Sequence, residues 1–595
     1  MRIVKVAIKN FRGIKDGEIY FPNHGVLVGD NNTGKSTILE AIDLVLGPER
    51  MKYRPVIDEH DFYAGDYLDA DKKAIELTAE VIIADLSEEQ ETYFRDNIEW
   101  WNKKSSTLLT EPPAEGTDSV DVVSALRVKF VGHYDDEEDD FVGDTYFLSP
   151  PKENGELITF KTKDKRQCGF LFLRTLRTGS RALSLERGSL LDIILDLSEV
   201  KLKMWEETLG QLRNVSVAEN PELGVSNILT GVQEALRSFV PSDWGTNPQI
   251  KVSDLTRESL RKNLNVFIAT GAKSIAGLDH IAPFKKQGTG TINTLVLSML
   301  SMIAELKKNV IFAMEEPEIA IPPHTQKRII SSIRNRSSQA IFTSHSPYVL
   351  EEFDPSEVIV LQNTDGLIRS VVASFPATVK RKQFKEQFRK KYCEALLSKR
   401  VLIAEGRTEY DSIPVAARRL SELDSVKYSS LEALGISIID AETDSQIEPI
   451  GALLKSLGKR VYAIYDKQEN IQKAKIIAAV DIGFESPMKS FEKLLLTSVP
   501  VTRLKKFVEG LVTDGDWPAH IVSPTASSTD VEVQDALQTY FGWAKGAAGA
   551  ANLIETCDLS EIPEFIRNSI EAIKKDVEPK VVSVEPVAGD TSNLL

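Results

Sequence analysis

Residues 26–46 read Val-Leu-Val-Gly-Asp-Asn-Asn-Thr-Gly-Lys-Ser-Thr-Ile-Leu-Glu-Ala-Ile-Asp-Leu-Val-Leu, and this stretch decides the fold of the N-terminal half of the chain. The apolar run 26–28 suits a buried strand, and the apolar side chains at 38, 41, 42, 45 and 46 recur with the helical period. Between them lies a complete phosphate-binding loop, residues 29–36. Strand, glycine loop and helix in this order predict a site for a nucleoside triphosphate.

Each residue type in the loop has a chemical reason to be there. Gly29 and Gly34 let the backbone fold so tightly that its N–H groups point at phosphate oxygens, and the helix N-terminus adds the positive end of a dipole. Lys35 is expected to reach the β- and γ-phosphates, and the Ser36 hydroxyl is expected to ligate Mg²⁺. The predicted cofactors are ATP and Mg²⁺, and the predicted nucleotide-binding residues of the loop are Gly29, Asn31, Asn32, Thr33, Gly34, Lys35, Ser36 and Thr37.

Length and composition indicate a globular protein of several domains. With 595 residues the chain is expected to form roughly three to four domains, and its hydrophobic fraction of 42% is ordinary. No apolar run approaches the roughly 18–20 residues of a membrane span, and the N-terminus lacks the features of a signal peptide. The cysteines Cys168, Cys393 and Cys557 are far apart and odd in number, which suits a reducing compartment. We therefore predict a cytoplasmic protein with no membrane partner.

The net charge of −16 lowers the expectation of DNA binding, because nucleic-acid binders usually carry an excess of basic residues. Acidic nucleases can nevertheless bind DNA through local basic patches and through the cations that their carboxylates hold. One basic segment, 380–391, has aromatic residues interleaved with its lysines and arginines. It suits a strip along a DNA backbone as well as it suits an amphipathic helix whose aromatic residues pack inward.

Four regions differ in their predicted secondary structure. Residues 1–164 and 266–378 alternate strands with helices, whereas the interval 165–265 is rich in helix formers and low in strand signals. Residues 395–595 carry a fresh α/β pattern. The predicted fold class is therefore α/β, with a P-loop ATPase domain in two parts, a helical insertion between them and a second α/β domain at the C-terminus.

A second ATPase motif follows the apolar strand 310–314, which ends in Glu315-Glu316-Pro317-Glu318. In P-loop ATPases the acid that ends this strand orients the Mg²⁺ shell, which assigns Glu315 to the metal. The next acid, Glu316, is placed to polarise the attacking water as a general base. Most families place Asp first, and an exposed acidic turn after a core strand is the alternative interpretation.

Four motifs together resemble the ABC ATPases of DNA repair and chromosome maintenance. They are the opening Ile8-Lys9-Asn10-Phe11-Arg12-Gly13, the loop 29–36, Glu315-Glu316-Pro317-Glu318 and Thr343-Ser344-His345-Ser346-Pro347. More narrowly, they resemble the OLD (overcoming lysogenisation defect) family, bacterial and phage-borne proteins that fuse such an ATPase to a C-terminal Toprim nuclease domain. The resemblance implies an ABC-type ATPase domain whose helical insertion serves dimerisation, and a Toprim domain at 395–595.

The same resemblance implies two further parts of the ATPase site. His345 occupies the place where ABC ATPases keep a switch histidine that contacts the γ-phosphate. Gly288 and Gly290 lie at a predicted helix N-terminus, which makes an anion site. In ABC ATPases this element covers the γ-phosphate bound by a second protomer, although the usual Leu-Ser-Gly-Gly-Gln is absent here. The resemblance therefore implies a homodimer or a higher homo-oligomer.

A second candidate site lies in the C-terminal region. Residues 401–409 read Val-Leu-Ile-Ala-Glu-Gly-Arg-Thr-Glu, so that a short strand ends at Glu405 and a helix follows with Glu409 in its first turn. A later strand, 460–465, ends at Asp466. Adjacent parallel strands would bring these carboxylates to one edge of a sheet, where open α/β sheets bind ligands. Their hard oxygens suit Mg²⁺ or Mn²⁺, and two such ions could clamp a phosphodiester.

These acids resemble the Toprim pattern of a glutamate after one strand and Asp-x-Asp after a later one. Here the triplet is Asp466-Lys467-Gln468, so a second metal would bind weakly or use other ligands. The candidates are Glu469, Asp440, Glu442, Asp444, Glu485 and Glu492. Lys545 resembles a lysine that OLD nucleases place near the scissile phosphate, and an ordinary surface lysine is the alternative.

The sequence thus predicts an ATP-hydrolysing, divalent-metal-dependent DNA endonuclease or nickase of the OLD type. Its predicted catalytic residues are Glu316, His345, Glu405, Asp466 and Lys545, and its predicted metal ligands are Ser36, Glu315, Glu405, Glu409 and Asp466. The resemblance further implies a role in defence against phage and leaves open a protein partner encoded alongside. The alternative from another class is an ATP-dependent DNA-binding or repair ATPase whose Toprim domain is not catalytically active.

Overall fold

A computed structural model of the chain shows two compact units, Met1–Val371 and Val372–Leu595. The structure describes residues 1–48, 50, 55–109, 121–151, 155–173, 184–185, 189–198, 200–214, 225–237, 256–275, 277–306, 310–318, 322–372, 392–525, 527–544 and 548–578. The basic segment 380–391 and Lys545, both singled out in the sequence, lie outside these residues.

The first unit is built on one large mixed sheet. Its strands β1–β10 are Arg2–Phe11, Ile14–Tyr20, Gly25–Val28, Leu77–Ala84, Glu99–Asn102, Thr107–Leu109, Val122–Asp135, Asp140–Phe147, Ile158–Thr159 and Phe170–Leu173. After a separate hairpin of β11 (Phe267–Lys273) and β12 (Asp279–Pro283), strands β13–β16 are Ile311–Glu315, Gln339–Thr343, Val358–Thr364 and Leu367–Val372. The sheet order is β10-β13-β14-β3-β15-β16-β2-β1-β4-β7-β5-β6, with β8 paired to β7 and β9 to β8.

The phosphate-binding strand β3 lies within the parallel part of this sheet. Strands β14 and β15 pair with it in parallel, one on each side, and β13 pairs in parallel with β14. Every residue of β3, β13 and β14 is buried, as expected for parallel strands that are covered on both faces. Because these strands run in the same direction, their carboxyl ends meet at one edge, and that edge positions the first site.

The helices of the first unit are Lys35–Leu46, Glu88–Tyr93, Thr162–Gln167, Leu190–Leu197, Lys201–Asn214, Val225–Arg237, Arg257–Asn263, Thr289–Leu306, Pro323–Arg336 and Pro347–Leu350. Four of them lie entirely in the interval 165–265, for which a helical insertion is predicted. One feature of that interval differs from the prediction. Phe170–Leu173 form β10, which pairs in parallel with β13, so the ATPase sheet extends past the predicted boundary at residue 164. Four consecutive apolar residues suffice for a short strand when a buried neighbour offers its free edge.

The second unit is an α/β domain around a four-stranded parallel sheet. Strands β17–β20 are Arg400–Ala404, Ile436–Asp440, Arg460–Tyr465 and Ile482–Glu485, in the order β18-β17-β19-β20. The helices are Cys393–Leu397, Arg407–Leu423, Asp444–Ser456, Asn470–Ala479, Phe491–Ser498, Val501–Asp514, Asp530–Trp543, Gly549–Glu555 and Glu564–Val577. The α/β class predicted from the sequence is confirmed in both units.

Apolar clusters cover both faces of the second sheet. Leu402 and Ala404 belong to one buried cluster, and Val401 and Ile403 belong to another. Because successive side chains of a strand point to opposite faces, helices must pack on each side, and polar groups are left to the strand ends.

Among the described helices, none has both the length and the apolar composition that crossing a membrane requires.

Candidate nucleotide and metal sites

The phosphate-binding loop joins β3 to the helix Lys35–Leu46 and depends on two glycines. Gly34 caps the helix with a φ of 93°, and Gly29 has a φ of 159°. A Cβ atom on Gly29 would lie 2.8 Å from Thr33 Oγ1 and 3.0 Å from the Leu361 carbonyl oxygen, which is too close for a side chain. The loop therefore turns tightly, and it leads into a helix N-terminus of the kind that binds phosphate.

Lys35 is buried in this loop, with 8% of its surface exposed. Its Nζ donates hydrogen bonds to the carbonyl oxygens of Gly29 (3.0 Å) and Asp30 (2.9 Å). Burial lowers the pKa of Lys35, and the negative charges of Asp30 and Glu316 oppose that shift. Because the charge of Glu316 acts on Lys35, the predicted general base and the predicted phosphate-binding lysine belong to one site.

Glu315 and Glu316 lie at the end of β13. The strand register pairs Glu315 with Thr343, and Thr343 with Leu27, so that three neighbouring parallel strands end side by side. Glu315 is buried, whereas Glu316 has a φ of 45°, in the left-handed region that residues other than glycine rarely adopt. The Glu316 N–H donates to the Thr343 carbonyl oxygen at 2.9 Å, which holds this conformation. Backbone strain of this kind is typical of functional positions.

Glu318 holds the segment that follows β14. Its carboxylate accepts hydrogen bonds from Ser344 Oγ at 3.0 and 3.1 Å and from the His345 N–H at 2.7 Å. Partial burial lowers the pKa of His345, the charge of Lys35 lowers it further, and Glu316 opposes the shift. The predicted switch histidine thus lies within the electrostatic reach of the phosphate-binding loop. The sequence motif contains Glu318 without revealing that it anchors His345.

Gly288 and Gly290 open the helix Thr289–Leu306: Gly288 precedes it and Gly290 lies in its first turn. A Cβ atom on Gly288 would meet no described atom within 4 Å, and its φ is not in the left-handed region. Nothing in the described part of the protomer therefore requires glycine at position 288.

In the second unit, the predicted acids meet in a cleft at the carboxyl edge of the sheet. The register aligns Ala404 with Asp440 on one side and with Ile464 on the other, so Glu405 follows β17 between β18 and β19. The cleft has a volume of about 340 Å³ and is lined by Glu405, Gly406, Arg407, Thr408, Glu409, Asp440, Glu442, Asp466 and Glu492. It contains six carboxylates and one guanidinium group, a composition that suits a cation.

Glu405 is held by hydrogen bonds on the side of β19. Its Oε2 accepts from the Asp466 N–H at 2.8 Å and from Gln468 Nε2 at 3.1 Å. Glu409 is buried in the first turn of the helix Arg407–Leu423. Asp466 Oδ1 is also buried, and no described residue offers it a hydrogen bond.

Burial, with smaller contributions from neighbouring acids, shifts the pKa values of these acids upward. Burial raises the pKa of Asp466 to about 7, and Glu405 and Glu492 add to the shift. Burial likewise raises the pKa of Glu409 to about 8, with further contributions from Asp466, Glu405 and Glu492. The pKa of Glu405 is raised chiefly by burial as well, while the hydrogen bonds from Asp466 and Gln468 oppose the shift. Negative charge at this density is what a bound cation relieves.

The donor set fits a hard divalent cation. Of the six carboxylates at the cleft, Glu405, Glu409 and Asp466 are the predicted ligands. Asp466 has a buried oxygen that no described residue bonds, and Mg²⁺ and Mn²⁺ prefer such oxygens. As the side chains stand, no group of three or more Asp, Glu, His or Cys residues in the described ranges is close enough to hold a metal ion. Ligation would therefore require rotation of the carboxylate side chains toward one another.

Comparison with protein-family models finds a match for each of the two units. Residues 1–175 and 193–350, more than half of the 595, match the family described as AAA ATPase domain. The chain belongs to this AAA ATPase family. Residues 396–467 match the TOPRIM domain of overcoming lysogenization defect protein-like proteins, and this range contains Glu405, Glu409 and Asp466. The predicted OLD resemblance is confirmed.

Two relatives of this AAA ATPase family member match long stretches of it. The OLD nuclease of Thermus scotoductus is 21% identical over 97% of this chain and 99% of its own. Endonuclease GajA of Bacillus cereus is 22% identical over 69% of this chain and 66% of its own. Among solved structures, the C-terminal region of the Burkholderia pseudomallei OLD protein is 14% identical over 30% of this chain and 99% of that one, with a TM-score of 0.24.

The structure also places residues at the cleft that the sequence did not single out. Thr408 Oγ1 donates to Glu492 Oε1 at 2.7 Å, and Ser490 Oγ donates to Glu492 Oε2 at 2.6 Å. Two hydroxyls thus hold Glu492 at the cleft. The available signals were the position of Thr408 between the two glutamates and the position of Ser490 as the N-cap of the helix Phe491–Ser498. Lys545 lies outside the described residues, and its role stays a prediction.

Proposed function

We propose that this protein hydrolyses ATP and, with a divalent cation, cuts DNA as an endonuclease. The observation that carries the proposal is the cleft in which Glu405, Glu409 and Asp466 meet, in the same chain as a complete phosphate-binding loop. A fold alone would not carry it, because P-loop and α/β folds each host many functions. The relatives named OLD nuclease and endonuclease GajA support the same reading.

Each residue of the nucleotide site has a distinct proposed task. Lys35 exchanges its carbonyl acceptors in the loop for oxygens of the β- and γ-phosphates. Ser36 and Glu315 hold Mg²⁺, and Glu316 accepts a proton from the attacking water. His345, held in place through Glu318, contacts the γ-phosphate.

In the cleft, Glu405, Glu409 and Asp466 would hold Mg²⁺ or Mn²⁺. Such a cation, when bound, supplies Lewis-acid stabilisation of the charge that develops on the scissile phosphate. Thr408 and Ser490 keep Glu492 at the cleft, and Lys545 is the proposed contact of the phosphate. The carboxylates also repel a DNA backbone until cations neutralise them, so we expect both DNA binding in the cleft and cutting to require metal.

We further propose that two copies complete the ATP sites of each other. Gly288 and Gly290 of one protomer would cover the γ-phosphate held by the loop of the second, which accounts for a glycine that the protomer itself does not need. The helical insertion is the proposed second contact between the copies. A role in defence against phage is proposed from the OLD resemblance.

A second candidate function is an ATP-driven DNA-binding or repair protein whose Toprim domain does not cut. The observation that favours it is Gln468, a neutral residue where the Toprim pattern has its second acid. With one charge fewer at this edge, a cation there would be held less strongly. The two functions differ in one measurable property, the cleavage of DNA.

A plasmid-nicking assay with the variant Glu405→Ala distinguishes them. The substitution removes a proposed ligand and leaves the ATPase unit untouched. We expect nicking in Mn²⁺ to fall roughly 100-fold or more, because lost metal ligands cost at least as much as their outer partners. ATP turnover should stay within about twofold of the parent, since Glu405 lies in the second unit and the ATP site in the first.

Glu509→Ala serves as the matched control, because Glu509 is an exposed acid on the helix Val501–Asp514 of the same unit. It should nick like the parent. Equal nicking by Glu405→Ala and the parent would contradict the nuclease assignment. A parent that hydrolyses ATP but leaves plasmid intact in Mg²⁺ and in Mn²⁺ would establish the non-cutting alternative.

A further inference from the structure

Gln468, the residue at which the chain departs from Asp-x-Asp, has its side chain engaged with a proposed cation ligand. Its Nε2 lies 3.1 Å from Glu405 Oε2. The amide must present its N–H groups there, because its carbonyl oxygen would repel the carboxylate at that distance. Gln468 therefore acts on Glu405 as a hydrogen-bond donor, which an ionised aspartate could not do.

Two donors converge on the same oxygen of Glu405. The Asp466 N–H lies 2.8 Å from Oε2, and Gln468 Nε2 is the second donor. No residue in the described part of the chain forms a hydrogen bond with Glu405 Oε1. Glu405 itself lines the cleft. Oε2 of this carboxylate is thus held by two hydrogen bonds, and Oε1 is left for a ligand.

Gln468 is in turn fixed by the neighbouring strand β20. Its N–H donates to Glu485 Oε1 at 3.1 Å, and Glu485 Oε2 accepts from Lys473 Nζ at 2.5 Å. The hydrogen bond from Lys473 lowers the pKa of Glu485, so this carboxylate stays ionised and remains an acceptor. Because both oxygens of Glu485 are committed in this way, Glu485 is a support of the site rather than one of its ligands.

An acid at position 468 would make the charge balance of the cleft worse. Six carboxylates and one guanidinium group already line it. A further negative charge about 3 Å from Glu405 would repel it strongly in a partly buried setting, whereas the amide adds attraction and no net charge.

We propose that Gln468 is a positioning residue of the cation site: it holds Glu405 through Oε2, so that Oε1 is left for a cation toward which Glu409 and Asp466 turn, and it is not itself a ligand. The inference rests on the proposed function, because it concerns the same cation. It assigns ligation to Glu405, Glu409 and Asp466. Gln468 then contributes to the site through its hydrogen bond, and its difference from the Toprim aspartate is not a loss of function.

Mn²⁺ binding to the nucleotide-free, full-length protein measures this role. Isothermal titration compares the Mn²⁺ affinity of the parent with the affinities of Gln468→Ala and Gln468→Glu. The variant Glu405→Ala, which lacks a proposed ligand, measures Mn²⁺ binding outside the cleft. We expect both position-468 variants to bind Mn²⁺ about 10-fold or more weakly, since outer partners of metal ligands are worth about 10- to 100-fold in affinity. The Mn²⁺ concentration that gives half-maximal nicking should rise by the same factor.

Gln472→Ala is the matched control. Gln472 lies on the helix Asn470–Ala479, and its Nε2 donates to the Asp444 backbone oxygen at 3.1 Å without a hydrogen bond to a proposed ligand. Its Mn²⁺ affinity should stay within about twofold of the parent. Gln468→Glu keeps the length of the side chain, so a loss shared by both position-468 variants reports the donated hydrogen bond rather than packing. Thermal unfolding in EDTA checks that each variant folds.

Three results would overturn the inference. Unchanged Mn²⁺ affinity in Gln468→Ala removes the positioning role. Tighter Mn²⁺ binding or faster nicking in Gln468→Glu or Gln468→Asp makes position 468 a ligand position. If the parent binds no Mn²⁺ in the cleft, both the proposed nuclease function and the inference are wrong. If the parent binds Mn²⁺ and nicks DNA, and the position-468 variants do so equally well, only the inference is wrong.

Discussion

Glu318 shows how a single carboxylate can connect two motifs of the ATPase site. It lies three residues after Glu315, yet its acceptor oxygens are used by Ser344 Oγ and the His345 N–H, at 3.0 and 2.7 Å. Removing the carboxylate would leave both donors without this acceptor, at a cost of roughly 1–3 kcal/mol for the buried Ser344 hydroxyl. The backbone under His345 would then lose its fixed position.

We therefore expect Glu318→Ala to lower the turnover number for ATP about 10-fold or more. The dissociation constant for ATP should change less than about threefold, because Lys35 and the loop N–H groups stay in place. A lower turnover number with unchanged binding indicates a group that acts at the transition state. Steady-state ATPase assays and titration with a fluorescent nucleotide separate the two. Glu318→Gln keeps an acceptor oxygen and should retain most of the turnover. A loss of ATP binding instead would assign Glu318 to the loop rather than to His345.

At the scale of secondary structure, both sites are made by strands that end in acids. Glu315 ends β13, Glu405 follows β17 and Asp466 follows β19. Because the strands pair in parallel, these carboxyl ends lie at one edge of each sheet. In the second unit this arrangement buries acids close to one another, and their raised pKa values have a measurable consequence for stability.

The folded, metal-free second unit should become less stable as the pH rises from about 4.5 to about 8. Glu409 has its pKa raised from 4.5 to about 8, so across this window the folded state holds a proton that the unfolded state has released. Its contribution is complete below pH 4.5 and is lost as the pH passes 8. Glu409→Gln removes this titration, and its stability relative to the parent should improve by roughly 2–4 kcal/mol between pH 5 and pH 8.5.

Hydrogen exchange of β19 amides, with parent and variant compared at each pH in EDTA, measures that difference and cancels the intrinsic effect of pH on exchange. Mn²⁺ at pH 8.5 should restore protection in the parent more than in Glu409→Gln, because the parent alone keeps the full ligand set. A stability difference that does not change with pH would show that Glu409 keeps an ordinary pKa.

The order of strand and acid is also what made these sites predictable from the sequence. A short apolar run followed by Glu405 or Glu315 fixes where the carboxylate lies as soon as the strand is parallel and buried. The hydrogen bond from Gln468 to Glu405 was not predictable, because it depends on which way an amide turns after β19. Nor was β10, whose four residues become a strand only because β13 offers a buried partner far along the chain.

At the scale of the whole molecule, we propose that the ATP site is complete only when two copies meet. The protomer supplies a reason for Gly29 of its phosphate-binding loop, namely the close approach of Thr33. It supplies none for Gly288, around which the described residues leave open space. A substitution there should therefore leave the fold intact and act only on what approaches from outside.

Mixing two inactive variants tests this arrangement. Lys35→Ala removes the phosphate contact, and Gly288→Val adds bulk where the second copy's nucleotide would lie, so each alone should lose nearly all ATP turnover. In a mixed dimer, the intact loop of the Gly288→Val chain faces the intact Gly288 of the Lys35→Ala chain, and one of the two sites is whole. Because half of the dimers in an equal mixture are mixed, turnover should recover to about a quarter of the parent value. Full activity of Gly288→Val alone, or a mixture as inactive as its components, would mean that each protomer hydrolyses ATP without a contribution from Gly288 of its partner.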